Sequence, residues 1–340
     1  MSAKILLIGV GGVGSIAAHT LQQNGCEVSA VARSQYDVLS TDGFKIESVD
    51  YGNVDFKPDF VFKSAEDAVA DRGVFDYIVF TTKNIPDVFP IEKIIEKVYN
   101  KDTAIVLLEN GVGIERSVFK AFPDATCISG VTMISSTLYG NTVRHVGKDS
   151  VSFGPFINSA IDRDAQVTKA KKFAKLYHNE HNQAKYDENV KYTRWRKLIY
   201  NGAINTTCAI TNVDAGRLDM FGGSEKIVRP AMQEIRAIAK ADGVDLPEEI
   251  MDFMIKSDDG EYYPPSMLID IRKNQYTEYK VILGTALDIA KEKGVEAPIL
   301  TILCYLLEII QLRIMESKGR FTLPEKKPLT SENYKIEFKD

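Results

Sequence analysis

A glycine-rich turn near the start of the chain constrains the fold more than any other feature. Gly9-Val10-Gly11-Gly12-Val13-Gly14 follows the apolar run Ile5-Leu6-Leu7-Ile8. It opens a segment, Gly12–Asn24, whose apolar residues recur at helical spacing until Gly25 stops them. In such a strand–turn–helix the first glycine, Gly9, allows the tight turn. Gly11 lets backbone N–H groups approach a pyrophosphate, and Gly14 lets the helix pack on the strand. The helix N-terminus adds the positive end of a dipole. The pattern alone is weak; in this context it predicts a dinucleotide site.

The second strand, Glu27–Ala32, ends in Arg33. An acidic residue there would bond a ribose 2′-hydroxyl, whereas a guanidinium suits a 2′-phosphate, so NADP(H) is expected rather than NAD(H). Lys83 ends another strand, Phe75–Phe80 with its Thr-Thr extension, on the same edge. Spacing makes it either a second cation near the cofactor or a surface lysine. A further strand is read at Thr103–Leu108, with helices around Ile91–Tyr99 and Gly113–Ala121. This cadence predicts a parallel, doubly wound sheet. Cys127–Thr137, a turn at Tyr139-Gly140-Asn141, Thr142–Val146 and Ser150–Phe153 predict antiparallel strands added at the sheet edge. A charged helix follows, about Asp162–Tyr177.

After Asn189 the strand signals nearly vanish. Tyr192–Asn205, Glu225–Ala241, Pro247–Ile255, Ser266–Arg272, Thr277–Lys293 and Ala297–Ser317 read as helices. The expected class is α/β: a Rossmann-type doubly wound domain over residues 1–186, an all-helical domain over 187–317 and a polar, poorly ordered tail over 318–340.

Composition narrows the function. With 44% hydrophobic and 26% charged residues the chain is neither disordered, collagen-like nor a membrane-spanning bundle. A net charge of −5 argues against a nucleic-acid or membrane-surface protein, so an anionic substrate needs local cations. The apolar stretch Ile299–Met315 carries Glu308, Gln311 and Arg313 and reads as an amphipathic core helix. Cys26, Cys127, Cys208 and Cys304 are isolated, which predicts buried free thiols; with no targeting segment visible, a cytoplasmic location is expected. His19, His145, His178 and His181 form no HExxH pattern, so no metal is expected; His178 and His181 read as solvated, with metal binding the minor alternative.

Lys197, Asn201 and Asn205 stand at i, i+4 and i+8. On an α-helix they form one stripe with a drift of about 80°. Two asparagines on one stripe cost helix propensity without an evident local gain. They read as a polar wall for an oxygen-rich ligand, or else as capping and inter-helix hydrogen-bonding groups beside a solvated Lys197. Ser266 starts a helix that Asn274 can close, and Thr277 can cap the next, placing Glu278 in its first turn. As capping chemistry alone, Ser266 and Glu278 need no function.

Taken together these residues resemble the ketopantoate reductase (2-dehydropantoate 2-reductase) family, over nearly the whole chain to about Lys318. The likeness rests on Trp195, Lys197, Asn201 and Asn205. It rests equally on Ser266-Met267-Leu268-Ile269-Asp270-Ile271-Arg272 followed by Thr277-Glu278, on Asn110-Gly111 after a strand, and on Arg33 and Lys83 at strand ends. The resemblance implies NADPH-dependent reduction of a 2-oxo acid, ketopantoate first, with Lys197 as general acid. It implies that Asn110, Asn201, Asn205 and Ser266 hold substrate, and that Asn110 also lies near the nicotinamide. Glu278 would orient the reacting groups near both cofactor and Lys197, and Ser136 would contact the cofactor. His145, in Val143-Arg144-His145-Val146-Gly147, reads as structural. Glu109 stands where the family often has Gln, and Tyr279-Lys280 replaces a common Ile-Asp. These departures leave another branched or aromatic 2-oxo acid open as substrate. A non-catalytic NADPH-sensing protein would keep the glycine turn and Arg33 but have no need of Lys197 and Glu278. A homodimer is compatible with all of this.

Overall fold

The structure, a computed structural model, describes residues 2–332 and 334–339. The chain packs as two compact units, Met1–Arg194 and Trp195–Asp340. The first is built on a ten-stranded sheet. Its strands are β1 (Lys4–Ile8), β2 (Glu27–Val31), β3 (Phe44–Ser48), β4 (Gly52–Phe56), β5 (Phe60–Phe62), β6 (Tyr77–Phe80), β7 (Ala104–Leu107), β8 (Thr126–Tyr139), β9 (Thr142–Phe156) and β10 (Lys185–Tyr186). They lie in the order β4-β3-β9-β8-β7-β6-β1-β2-β5, with β10 beside β9. From β5 to β8 every pair is parallel. β2 and β5 lie on one side of β1 and β6 on the other, with β3 and β4, which come between β2 and β5 in the chain, at the opposite end of the sheet. Ligands of open α/β sheets bind outside the carboxyl ends at such a reversal.

The central strands are buried on both faces, with all of Tyr77–Phe80 and Ala104–Leu107 inside. That is why they read as unbroken apolar runs. The helix Gly12–Gln23 lays Ile16, Ala17, Ala18 and Leu21 on the sheet and ends just before Gly25, whose φ is +81°. The helix Arg163–Tyr177 starts at Asp162, whose carboxylate accepts the Ala165 N–H at 2.7 Å. The segment Ile91–Tyr99 forms only one α-turn, Glu92–Ile95.

The antiparallel addition is present in a different form from that expected. Thr142–Phe156 is one strand of 15 residues, not two. Nor is the hairpin the edge, because β3 and then β4 continue the sheet beyond β9. Phe44 and Ile46 alternate with exposed Lys45 and Glu47 on β3. His145 pairs across this region: its Nδ1 lies 2.8 Å from Ser48 Oγ and its Nε2 3.8 Å from Asp50, in keeping with a structural role. All four cysteines are buried and free.

The second unit is helical, and three of its turns are π-helical: Asn201–Asn205, Ser224–Val228 and Lys280–Gly284. The segments read as continuous α-helices over Tyr192–Asn205, Glu225–Ala241 and Thr277–Lys293 therefore each contain an i→i+5 turn. At the first of these, Thr206 and Thr207 hydroxyls donate to the Gly202 and Ala203 carbonyls at 2.8 and 2.7 Å, supporting the widened turn. Trp195 is 1% exposed, and its Nε1–H donates to Asp242 at 3.0 Å. Truncating such a residue costs about 3–5 kcal/mol. The last helix, Pro298–Ser317, is long and apolar enough to cross a membrane by length and composition. In the structure Leu300, Leu303, Leu307 and Ile314 are buried on one face, and Ile302, Tyr305 and Ile309 are exposed on the other.

The division between units falls eight residues later than the expected boundary after residue 186. The first turns of the helix Val190–Tyr200 belong with the sheet: Val190 packs on Gly154, and Thr193 Oγ1 donates to Asp187 at 2.5 Å. The tail is also better packed than expected. Phe321 is buried, the Phe338 ring stands edge-on to it at 5.4 Å, and the Lys339 N–H donates to Arg320 O at 2.6 Å.

Candidate active site

The glycine turn sits at the carboxyl end of β1, at the strand reversal. Gly9 has φ +100°, and a Cβ there would lie 2.6 Å from Thr82 Cγ2. A Cβ at Gly14 would lie 2.0 Å from the Gly9 carbonyl, so the helix reaches its strand only with glycine at this position. Thr81 Oγ1 locks the turn by donating to that carbonyl at 2.5 Å. The β8 backbone abuts Gly12, where an added Cβ would meet Ser136 O at 2.3 Å. Ser136 lies where the β8–β9 register shifts, and its Oγ is buried without a hydrogen-bond partner. An orphaned hydroxyl beside the glycine turn fits a polar group that arrives with a ligand.

Arg33, Lys83 and Asn110 follow β2, β6 and β7 on the same carboxyl edge. The Arg33 guanidinium is exposed and stacks 4.8 Å over the Phe89 ring. No carboxylate pairs with it among the described residues, which leaves its charge available to an anion. Lys83 is half-buried in the loop after β6. The residues on either side of it, Thr82 and Asn84, donate to the Glu109 carboxylate at 3.1 and 2.9 Å. Glu109 is therefore buried in the wall beside the loop, not a charge projecting toward a ligand.

Arg194 carries much of this edge and was missed in the sequence, where it is one of four cations from Lys191 to Lys197. Its Nη1 donates to the carbonyls of Glu109 and Gly111 at 2.9 and 2.7 Å, and its Nε to Ser129 Oγ at 3.0 Å. Burial lowers the guanidinium to about 10, against the opposing pull of the Glu115 and Glu109 carboxylates.

In the helical unit Lys197 stands, half-buried, in the last α-turn of Val190–Tyr200. Asn201 and Asn205 are the first and last residues of the π turn that follows, and both are buried. A π turn closes over five residues, so each residue advances through a smaller angle than in an α-helix. The two asparagines are thereby brought closer to one line than the α-helical drift gives. Asn205 bonds to the start of the helix Ser266–Arg272: its Nδ2 donates to Ser266 Oγ at 3.2 Å and its Oδ1 accepts the Met267 N–H at 2.9 Å. The inter-helix role foreseen for the Asn pair is thus realised by Asn205. Asn274, at φ +52°, closes that helix as expected.

Thr277 does not cap the next helix. Its N–H and hydroxyl both point to Gln311 Oε1, at 2.9 and 3.3 Å, because that amide projects from the last helix beside it. The helix starts at Tyr279 instead, with the Glu278 carbonyl accepting the Val281 and Ile282 N–H groups. Glu278 is 5% exposed, too buried for a purely solvated capping carboxylate. A separate cleft of about 260 Å³, lined by Ile204, Leu218, Met220, Asp258, Glu261 and Tyr262, contains none of the residues singled out in the sequence.

Comparison with known proteins decides the family. Residues 5–158 match the family "Ketopantoate reductase PanE/ApbA", and residues 189–311 match its C-terminal domain. The chain belongs to the ketopantoate reductase family. It is 38% identical to an uncharacterised protein of Saccharomyces cerevisiae, over 95% of this chain and 98% of that one. A 2-dehydropantoate 2-reductase of Methylococcus capsulatus superposes with a TM-score of 0.78 at 30% identity, covering 92% of this chain and 97% of that one. A D-mandelate dehydrogenase solved with NADH and anilino(oxo)acetate gives a TM-score of 0.78 at 25% identity, covering 92% and 99%. As a member of the family the chain is an oxidoreductase acting on a CH–OH group with a nicotinamide nucleotide. The glycine cradle, the orphaned Ser136 hydroxyl and the available Arg33 charge are suited to that nucleotide.

Proposed function

We propose that this ketopantoate reductase family member uses NADPH to reduce a 2-oxo acid to a 2-hydroxy acid, with ketopantoate as the first candidate. The observation that carries the reading is Lys197 leading directly into a buried Asn201/Asn205 π turn. The reduced nicotinamide supplies a hydride to the keto carbon. Lys197 stabilises the negative charge that develops on the keto oxygen and donates the proton that neutralises it. Asn201, Asn205 and Ser266 hold the carboxylate and hydroxyl groups of the substrate. Asn110 lies against nicotinamide and substrate, and Glu278 orients the reacting groups. Arg33 and Lys83 take the 2′-phosphate end of the cofactor, which favours NADPH over NADH. Cytoplasmic residence and a homodimer belong to the same proposal, to be checked by fractionation and by sedimentation.

A panel of 2-oxo acids, followed by NADPH absorbance at about 340 nm and ranked by kcat/KM, tests the substrate. Ketopantoate is expected to lead. A second reading, reduction of an aromatic 2-oxo acid, draws support from the likeness to a D-mandelate dehydrogenase and from Tyr279-Lys280 after Glu278. Higher kcat/KM on bulky aromatic acids would establish it instead.

A further inference from the structure

The carbonyls immediately before and after Asn110 both accept from one atom, Arg194 Nη1, at 2.9 Å from Glu109 and 2.7 Å from Gly111. The rest of the same guanidinium is set against β8 and the end of β9. Its Nε donates to Ser129 Oγ at 3.0 Å, its Nη2 reaches Gly130 O at 3.4 Å, and its central carbon lies 5.1 Å from the centre of the Phe156 ring. Arg194 thus holds the peptide that precedes Asn110 and the one that follows Gly111, and the positive φ of Gly111, +97°, turns the chain between them. The Glu109 carboxylate meanwhile accepts from Thr82 and Asn84, on either side of Lys83. It meets donors on both oxygens, which an acceptor-only carboxylate satisfies and the Gln common in the family would satisfy on one atom only. Burying a guanidinium is unfavourable unless its donors are used and its charge is balanced. Here its donors are spent on loop backbone, and the Glu115 and Glu109 carboxylates balance its charge.

Resting on the reading that Asn110 lies against nicotinamide and substrate, we propose that Arg194 is a positioning residue: it sets the backbone of Asn110. Glu109 supplies part of its counter-charge and ties the same loop to the one bearing Lys83. The chemistry itself stays with the groups that touch substrate.

The test is Arg194→Lys, which keeps the charge and loses the fork, made in the full-length protein with and without Asn110→Ala. With Asn110 present, kcat/KM for the preferred 2-oxo acid is expected to fall about 10–100-fold, mainly in kcat, with the NADPH Kd held within about two-fold. In the Asn110→Ala background that loss should nearly disappear, since the group being positioned is gone. Equal losses in both backgrounds, or no loss in either, overturn the proposal. Should R194K not fold, Ser129→Ala removes one anchor of the fork; a several-fold loss confined to the protein that retains Asn110 is expected, and its absence is equally decisive. Hydrogen exchange needs no substrate: R194K should speed exchange at residues 109–112 while β1 and β6 stay protected, and unchanged exchange there also overturns the proposal. Wild-type protein that reduces no 2-oxo acid would sink the functional reading, while the exchange result still judges Arg194.

Discussion

Asn205 and Ser266 are fastened to one another, with the Asn205 amide donating at 3.2 Å to the serine hydroxyl while its oxygen caps the Met267 N–H at 2.9 Å. One side chain thus fixes the start of the helix Ser266–Arg272 and the orientation of a hydroxyl assigned to substrate. Asn205→Ala is expected to lower unfolding free energy by about 1–2 kcal/mol in urea titrations and to raise KM. Asn205→Asp keeps the acceptor and loses the donor, so it should recover part of the stability without recovering KM. Full recovery of both would show that Ser266 needs no amide partner.

Lys197→Ala should reduce kcat by about 10²–10⁴-fold, the range associated with loss of a general acid. Lys197 is half-buried, so its loss should leave the fold intact. NADPH titration by fluorescence should show retained cofactor binding. Turnover close to wild type would remove Lys197 from the reaction.

Arg33→Ala should weaken NADPH by about 10-fold or more and NADH by less than about two-fold, the outcome the proposed contact of the guanidinium with a 2′-phosphate requires. Phe89→Ala should show a smaller loss of the same kind, because the ring holds the guanidinium at 4.8 Å. Equal losses for the two nucleotides would assign the specificity elsewhere.

Asp149 gives a pH signature. Burial pushes its carboxyl up to about 6, with the nearby Asp50 carboxylate adding to the rise and the Tyr177 hydrogen bond at 2.8 Å opposing it. Its Oδ1 is buried without a partner. The folded state therefore holds this proton more tightly than the unfolded state, whose value lies near about 3.9. Stability from this group is fully present below about 4 and is lost as pH rises through about 6. Asp149→Asn should accordingly raise Tm at about pH 7.5, by the equivalent of about 1–3 kcal/mol, and give little gain at about pH 4. A gain that is the same at both pH values would contradict the assignment.

The glycine turn was legible because its geometry is local. Six consecutive residues fix the turn, and Arg33 follows its strand directly, so sequence order and spatial neighbourhood coincide. Spacing and resemblance singled out Lys197, Asn201, Asn205 and Ser266 but gave no sign of the π turn, since an i→i+5 turn leaves almost no mark on apolar periodicity. Strand β3 was missed because its partners, β9 and β4, lie on the far side of the sheet from β2, and five alternating residues are a faint signal. Arg194 was missed for another reason: nothing in Lys191, Arg194, Arg196 and Lys197 tells which cation turns inward. Burial of a guanidinium follows from the carbonyls that wait for it, and those come from residues some 65–85 positions away.

The contact of Gly12 with the Ser136 carbonyl has a consequence for anyone grafting parts of this protein. The opening strand and helix cannot be treated as an exchangeable cassette, because the second wall of their seat is a bulged segment more than a hundred residues downstream. A chimera that imports the first two dozen residues from a relative bearing a side chain at position 12 must import residues 133–137 as well, or the new methyl group will drive the two backbones apart.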